Sequence, residues 1–213
     1  MLPAVDETHL RRATSFGSVA DDYARARPGY PQAAVRWALE RAPGTNVLDL
    51  AAGTGKLTGA LLDAGLRVTA VEPLDGMRAQ LEAAFPDVRA LTGSAEAIPL
   101  EDASVDLVWC SEVLEHVPDT AGLLSEARRV LRTGGRLLVT TPSHDLPRRA
   151  LIALARFEHH CDPLGQHVRF YSRRTLARVL DEFAFEEIHL CSIGGPPGLR
   201  ETLVARARKA RLA

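Results

Sequence analysis

Lysine is nearly missing from this 213-residue chain, with only Lys56 and Lys209, and arginine supplies the remaining basic residues. The 26 basic side chains meet 27 acidic ones, for a formal net charge of -1. That balance leaves no surplus to neutralise a phosphate backbone, so no nucleic-acid partner is expected. Cysteine is scarce as well. Cys110, Cys161 and Cys191 stand singly, without the even count or short spacing of a disulfide frame or a CxxC metal site, which fits a reducing compartment. No stretch approaches the run of about 18 apolar residues that a membrane helix needs. The opening MLPAVDETHLRR carries acids early and has no apolar signal core, so a cytoplasmic protein without membrane insertion is expected.

What is present is a repeated strand and helix rhythm. The apolar runs NVLDL, RVTAVE, VRALTG, VDLVWC and RLLVTT alternate with helix-like KLTGALLDAG, LDGMRAQLEAAF and PDTAGLLSEARRVLRTGG, the pattern of parallel βαβ units. Runs 46–50, 105–110 and 136–141 are apolar almost throughout and belong in the middle of the sheet. Ahead of them, Pro31 opens a helix with Val35, Ala38, Leu39 and Ala42 on one face. Gly65 and Gly134-Gly135 are expected to stop helices. From Pro142 to Tyr171 the rhythm breaks around Pro147, Pro163 and Gly165, with one candidate helix RRALIALARFEHH; residues 142–171 read as an insertion over the site. Ser172 then caps a helix RRTLARVLDEF, followed by the strand-like FEEIHLCSI and RETLVARARK. At this length one domain, 1–213, is expected.

The richest segment is VLDLAAGTGKLT, where a buried strand ends in Asp49, the chain turns through Gly53 and Gly55, and a helix follows at once. Ligands of doubly wound sheets settle at such a first turn, where glycine lets the backbone approach closely. A P-loop fails here twice, because Leu50 stands where its first glycine belongs and Leu57 where its hydroxyl belongs. A dinucleotide GxGxxG loses its third glycine to Thr58, which weakens that reading. The remaining pattern, Asp49-x-Ala51-x-Gly53-x-Gly55, closely resembles motif I of the class I S-adenosylmethionine-dependent methyltransferases, with Ala51 in place of the usual first glycine.

Further segments carry the resemblance through nearly the whole chain. Glu72, followed by Pro73 and Met77, closes the second strand where an acid can grip both ribose hydroxyls, or is simply a solvated strand end. Gly93-Ser94-Ala95-Glu96-Ala97-Ile98-Pro99-Leu100 is similar to the family's adenine loop, with Ser94 where many relatives have Asp. The fourth strand runs through Cys110 into Ser111-Glu112-Val113-Leu114-Glu115-His116-Val117-Pro118, resembling motif IV and the loop after it. Tyr23, Arg27 and Tyr30 form a YxxxRPxY pattern in an N-terminal cap segment, 1–30, whose counterparts in relatives close over the cofactor. The front half looks like enzymes with an aromatic-rich loop after the fourth strand, whereas WCSEVLEHVPD and QHVRFYS look like quinone-type small-molecule enzymes of methyltransferase type 11.

The resemblance implies a Rossmann-like, doubly wound α/β domain. Its seven-stranded, mostly parallel sheet has the order 3-2-1-4-5-7-6, with the last strand antiparallel and helices on both faces. It implies S-adenosylmethionine as cofactor and S-adenosylhomocysteine as product. It places Tyr23, Arg27, Asp49, Ala51, Gly53, Thr54, Gly55, Glu72, Pro73, Met77, Ser94, Ala95, Glu96, Cys110 and Ser111 at the cofactor. The acceptor is expected to be a small molecule, methylated at oxygen or carbon, and the protein a monomer or homodimer. For a hydroxyl acceptor His116 is the first candidate base and Glu112 the second; His116 equally well pins its own loop. No metal is expected. His159, His160, Cys161 and His167 are ligand types within a short span, but their spacing fits no closed site. Arg148, Arg149 and Arg169 face either an acidic acceptor or solvent. A nucleic-acid enzyme is disfavoured because Cys110-Ser111-Glu112-Val113 lacks the Asn/Asp-Pro-Pro-aromatic signature of base amino-methylating enzymes. A non-catalytic cofactor-binding module is the alternative to an enzyme.

Overall fold

The computed structural model describes residue 30 and residues 32–155, 157, 167–196 and 201–211. Tyr23, Arg27, His159, His160 and Cys161 fall outside them, as does all of the expected N-terminal cap segment except Tyr30. Strands β1 (Asn46–Leu50), β2 (Arg67–Val71), β3 (Arg89–Leu91), β4 (Val105–Ser111), β5 (Leu131–Pro142), β6 (Phe185–Ile193) and β7 (Thr202–Lys209) form one seven-stranded sheet. Its order is β3-β2-β1-β4-β5-β7-β6, as the motifs imply. The pairs β1·β2, β1·β4, β2·β3 and β4·β5 are parallel, and β7 runs antiparallel to both β5 and β6.

The helices are α1 (Gln32–Leu39), α2 (Lys56–Asp63), α3 (Asp75–Ala84), α4 (Thr120–Val130), α5 (Leu146–Ala155) and α6 (Arg173–Glu182). Two core clusters flank the central strands. Val35 and Ala38 of α1 and Leu57 and Leu61 of α2 pack with Val47, Leu107 and Trp109, while Leu123, Leu124 and Ala127 of α4 and Leu176 and Leu180 of α6 pack with Leu48, Val108 and Cys110. Strand β4 is buried at every position, as a strand covered on both faces must be. Ser172 caps α6 in a reciprocal capping box with Thr175. Among the described residues no helix is long and apolar enough to cross a membrane.

One boundary differs from the sequence expectation. Gly134-Gly135 do not end the preceding helix: α4 stops at Val130, and Leu131 is already extended and paired with Val105. The cause is burial. Leu131 is fully shielded, so the chain turns early to place it in the core, and Gly134, at φ 77°, lies in the irregular entry to β5 where a left-handed residue is required.

Two buried arginines fasten α1 to the sheet. From β7, Arg206 donates to the carbonyls of Trp37 and Glu40 at 2.7 and 3.1 Å and stacks over the Trp37 ring. From β5, Arg136 donates to the Arg41 carbonyl at 2.9 Å. These carbonyls belong to the end of a helix, where intrahelical donors run out. A charged donor replaces them.

Candidate active site

Parallel pairing sets Asp49 beside Trp109 and Leu50 beside Cys110, so β1 and β4 end together. Because β1 has β2 on one side and β4 on the other, the crevice beyond these ends is the switch point of the sheet. A cleft opens there, lined by Tyr30, Asp49, Ala51, Gly53, Thr54 and Ser111 among others.

The turn after β1 is held in left-handed conformations, with φ of 56° at Ala51, 59° at Gly53 and 88° at Gly55. Gly55 is fixed by packing as well as by its backbone: a Cβ there would lie 2.8 Å from the Phe85 ring and 3.1 Å from Leu81. Below the turn, Asp49 and Thr58 are both almost fully buried, and the Thr58 hydroxyl donates to the Asp49 carboxylate at 2.6 Å. Thr58 therefore occupies the position of a dinucleotide motif's third glycine as a working partner of Asp49, anchoring the first turn of α2 to the end of β1.

Glu72, only 4% exposed, turns back over this loop. Its Oε2 accepts the Gly53 N–H at 2.8 Å and its Oε1 the Leu74 N–H at 3.0 Å. Burial raises its carboxyl above the usual range, opposed by these two N–H groups and by Arg78. Each carboxylate oxygen retains a second lone pair for a hydroxyl. Met77 is buried behind the loop and Pro73 is exposed. The Glu72 N–H donates to the Leu91 carbonyl at 3.0 Å, which ties the end of β3 to the same edge and leads the chain into 93–100. In that segment Ala95 is buried and Ser94 and Glu96 are half-buried. It is clamped from α4, because Arg129 donates to the carbonyls of Ile98 and Leu100 at 2.8 and 2.7 Å while Glu126 accepts the Ile98 N–H at 2.8 Å. The sequence reading passed over this pair. Its signal was the acid and base three residues apart on one helix face.

At the end of β4, Ser111 Oγ hydrogen-bonds Tyr30 Oη at 2.5 Å and Thr140 Oγ1 at 2.7 Å. The Tyr30 ring meets Trp109 edge-on at 6.3 Å. Cys110 is fully buried and its thiol is pushed far above the usual range by that burial, so its side chain offers no nucleophile. Glu112 takes a left-handed φ of 55°, and its N–H donates to the Thr140 carbonyl at 2.8 Å. This bend turns the loop after β4 and brings Glu115 and His116 beside His167. Glu115 is buried, its carboxyl pushed up to about 8 by burial first and then by the Glu112 charge. The ends of the expected insertion meet here too: Ser143 bridges Tyr171, whose carbonyl accepts the His144 N–H at 2.9 Å. The described part of the insertion includes α5, which begins at Leu146, two residues before the expected helix, and buries none of its side chains.

Residues 48–139 match the family model described as a methyltransferase domain. Over that segment this chain is similar to methyltransferase domains. A methyltransferase of Mycobacterium tuberculosis, itself uncharacterized, is 50% identical over 123 residues, covering 58% of this chain and 50% of that one. A demethylmenaquinone methyltransferase of Beutenbergia cavernae is 42% identical over 102 residues, 48% of this chain and 42% of that one. The matched part thus spans about half the length of these relatives. Among solved structures, the 1,6-didemethyltoxoflavin-N1-methyltransferase of Burkholderia thailandensis superimposes with a TM-score of 0.72 at 22% identity, covering 99% of this chain and 93% of that one. That protein was crystallised with 1,6-didemethyltoxoflavin and S-adenosylhomocysteine. A SAM-dependent methyltransferase of Thermotoga maritima superimposes with a TM-score of 0.70 at 22% identity, covering 91% and 98% of the two chains. The matched segment begins one residue before Asp49 and takes in both the glycine loop and the loop after β4.

Proposed function

We propose that this domain transfers the methyl group of S-adenosylmethionine to a small-molecule acceptor, at oxygen or carbon, and releases S-adenosylhomocysteine. The observation that carries the reading is the joint between Glu72 and the glycine loop, in which a buried carboxylate holds the Gly53 N–H at 2.8 Å beside the cleft. Asp49 lines the cleft together with Lys56, and Glu72 reaches its edge through the Gly53 N–H, where a carboxylate suits a sugar diol. Glu72 would hold the ribose, the Ser94–Glu96 segment the adenine, and the main chain around Gly53 and Ser111 the amino-acid end.

When bound, the sulfonium supplies an already activated methyl group. The chain's own task is then to hold a nucleophile in line and keep water out. Tyr30, fixed on Ser111 and Trp109, walls one side of the cleft. His116 stands on the loop after β4 as the group that takes a proton from an acceptor hydroxyl, with Glu112 as the second candidate. Phe170, 41% exposed and edge-on to His144 and His167, gives the imidazoles an apolar neighbour and favours an acceptor with an apolar face. The names of the demethylmenaquinone and didemethyltoxoflavin methyltransferases support a small-molecule acceptor.

The test is thermal unfolding of the full chain with S-adenosylhomocysteine or with NAD. At a hundredfold excess over Kd, a ligand of the native state stabilises by about 2.7 kcal/mol. A rise with S-adenosylhomocysteine, reduced in Glu72→Ala, is expected. A rise with NAD alone overturns the assignment.

A further inference from the structure

The loop after β4 holds a group of side chains that the cofactor reading does not use. Glu115, His116 and His167 each bring one ligand atom to a common point, and these atoms lie within 4.8 Å of one another. Glu115 is 1% exposed. Its Oε2 accepts the Thr141 hydroxyl at 3.0 Å, whereas no donor among the described residues reaches its Oε1. That oxygen faces His116 Nε2 at 3.9 Å. The neighbouring Glu112 side chain hydrogen-bonds Glu115 and adds a second acid at the same point. A buried carboxylate beside a second acid, with two imidazole nitrogens within 4.8 Å, marks a place for a positive ion.

Hydrogen bonds tie together the segments that carry the three residues. The N–H groups of Val168 and Arg169 both donate to the Glu115 carbonyl, at 2.8 and 3.2 Å, and the Arg169 guanidinium donates to the Pro118 carbonyl. His167 is therefore the residue immediately before a double tie to Glu115 itself. The imidazoles of His116 and His167 approach with centroids 4.8 Å apart at 57°, tilted instead of stacked. Thr141 orients the carboxylate from behind, the usual part of an outer partner at a metal site.

We propose that Glu115, His116 and His167 bind one divalent first-row transition-metal ion and leave part of its coordination sphere open. Two imidazole nitrogens with one carboxylate suit zinc, iron, cobalt or nickel, whereas calcium and magnesium prefer oxygen alone. Three protein ligands are the complement of catalytic sites that keep a place for water or substrate. Metal–ligand bonds of about 2.0–2.2 Å require the three atoms to draw in by roughly an ångström, and the half-buried imidazoles of His116 and His167 have room to rotate. The His159, His160, Cys161 and His167 run shares only His167 with this set, whose other members come from the loop after β4. Binding of the ion does not depend on the methyltransferase reading. Its use does: an ion there would acidify an acceptor hydroxyl, which loses its proton to solvent, and His116 would act as a ligand instead of a base.

The experiment is titration of the chelator-treated full chain with Co2+, read by its visible d–d absorption, alongside calorimetry with Zn2+. One equivalent is expected to bind. His167→Ala, and separately Glu115→Gln, should weaken it at least tenfold, with thermal unfolding recorded for each variant. Should Glu115→Gln fail to fold, His167→Ala at its half-buried position carries the test. Absence of a Co2+ spectrum in the wild type, or unchanged binding in the His116→Ala/His167→Ala double variant, overturns the proposal. S-adenosylhomocysteine is titrated in parallel. Its binding without Co2+ binding removes only the metal site, and Co2+ binding without it removes only the methyltransferase reading.

Discussion

Replacing Thr58 by valine tests the local anchor of the glycine loop. Valine keeps the shape and branching of threonine, so the perturbation is loss of one hydroxyl from a 2.6 Å bond to Asp49 Oδ2 between two side chains that are 0% and 1% exposed. A hydrogen bond to a charged group contributes about 1.5–3 kcal/mol, and the carboxylate left behind is buried without that donor. For a chain of this size each kcal/mol shifts Tm by roughly 2–4 °C, so a fall of about 3–12 °C is expected. Thr58→Ser keeps the hydroxyl and gives up a methyl group, at a cost of about 1 kcal/mol. The order of stability should be wild type, then serine, then valine. A double-mutant cycle with Asp49→Asn isolates the pair and should return a coupling of about 1–3 kcal/mol. A valine variant as stable as the serine one, or a coupling near zero, refutes the claim that Thr58 secures Asp49.

Other perturbations reach the remaining parts of the crevice. Ala51 holds a left-handed φ of 56°, a conformation that costs an L-residue about 1–2 kcal/mol; Ala51→Gly, after the added backbone entropy of about 0.5–1 kcal/mol, should leave Tm unchanged or raise it by a few degrees, and a marked fall would contradict this. Glu72 has a folded pKa above its unfolded one, so the native state keeps the proton longer as pH rises. Its contribution therefore falls with pH through the window just above the ordinary carboxylate range, by up to about 1.4 kcal/mol per unit. Urea denaturation from mildly acidic to neutral pH should show wild type losing ground relative to Glu72→Gln, and parallel curves would be inconsistent with that sign. Arg129→Ala frees two carbonyls of the 93–100 segment; with ordering costs of about 1–2 kcal/mol per residue, affinity for S-adenosylhomocysteine should drop on the order of tenfold by calorimetry, whereas an unchanged Kd would separate that segment from the cofactor.

Much of the sheet was legible because its strands are short apolar runs fenced by turns. NVLDL and FEEIHLCSI match β1 and β6 residue for residue. Buried strands announce themselves by continuous hydrophobicity, and helices by apolar residues returning every three to four positions. The end of α4 was not legible. RRVLRTGG reads as helix up to its glycines, and what overrides local preference is the demand that Leu131 be buried and paired with Val105, a tertiary constraint that no local window contains. Arg136 and Arg206 were invisible for the same reason. On a strand an arginine predicts a solvent-facing position, and only the arrival of α1's carbonyls over that face makes its burial favourable.

The site divides along the same line. The turn glycines, Asp49 and Glu72 could be placed together from sequence because each stands at or just after the end of a neighbouring strand, where the ladder fixes direction. Thr58, Glu115 and His167 were read as something else or passed over, since each acquires its meaning from a partner across the fold: Asp49 one turn away, Thr141 on β5, and the loop after β4. Thr58 shows the cost of reading a motif by subtraction, because a residue that spoils the dinucleotide pattern is also the one that locks the observed loop. The bend at Glu112 explains the rest. A non-glycine residue at φ 55° is strained and persists only where surroundings impose it; here the Glu112 N–H is held by the Thr140 carbonyl. That bend opens the loop that carries Glu115 and His116, and the Val168 and Arg169 N–H groups, both on the Glu115 carbonyl, bring His167 to them.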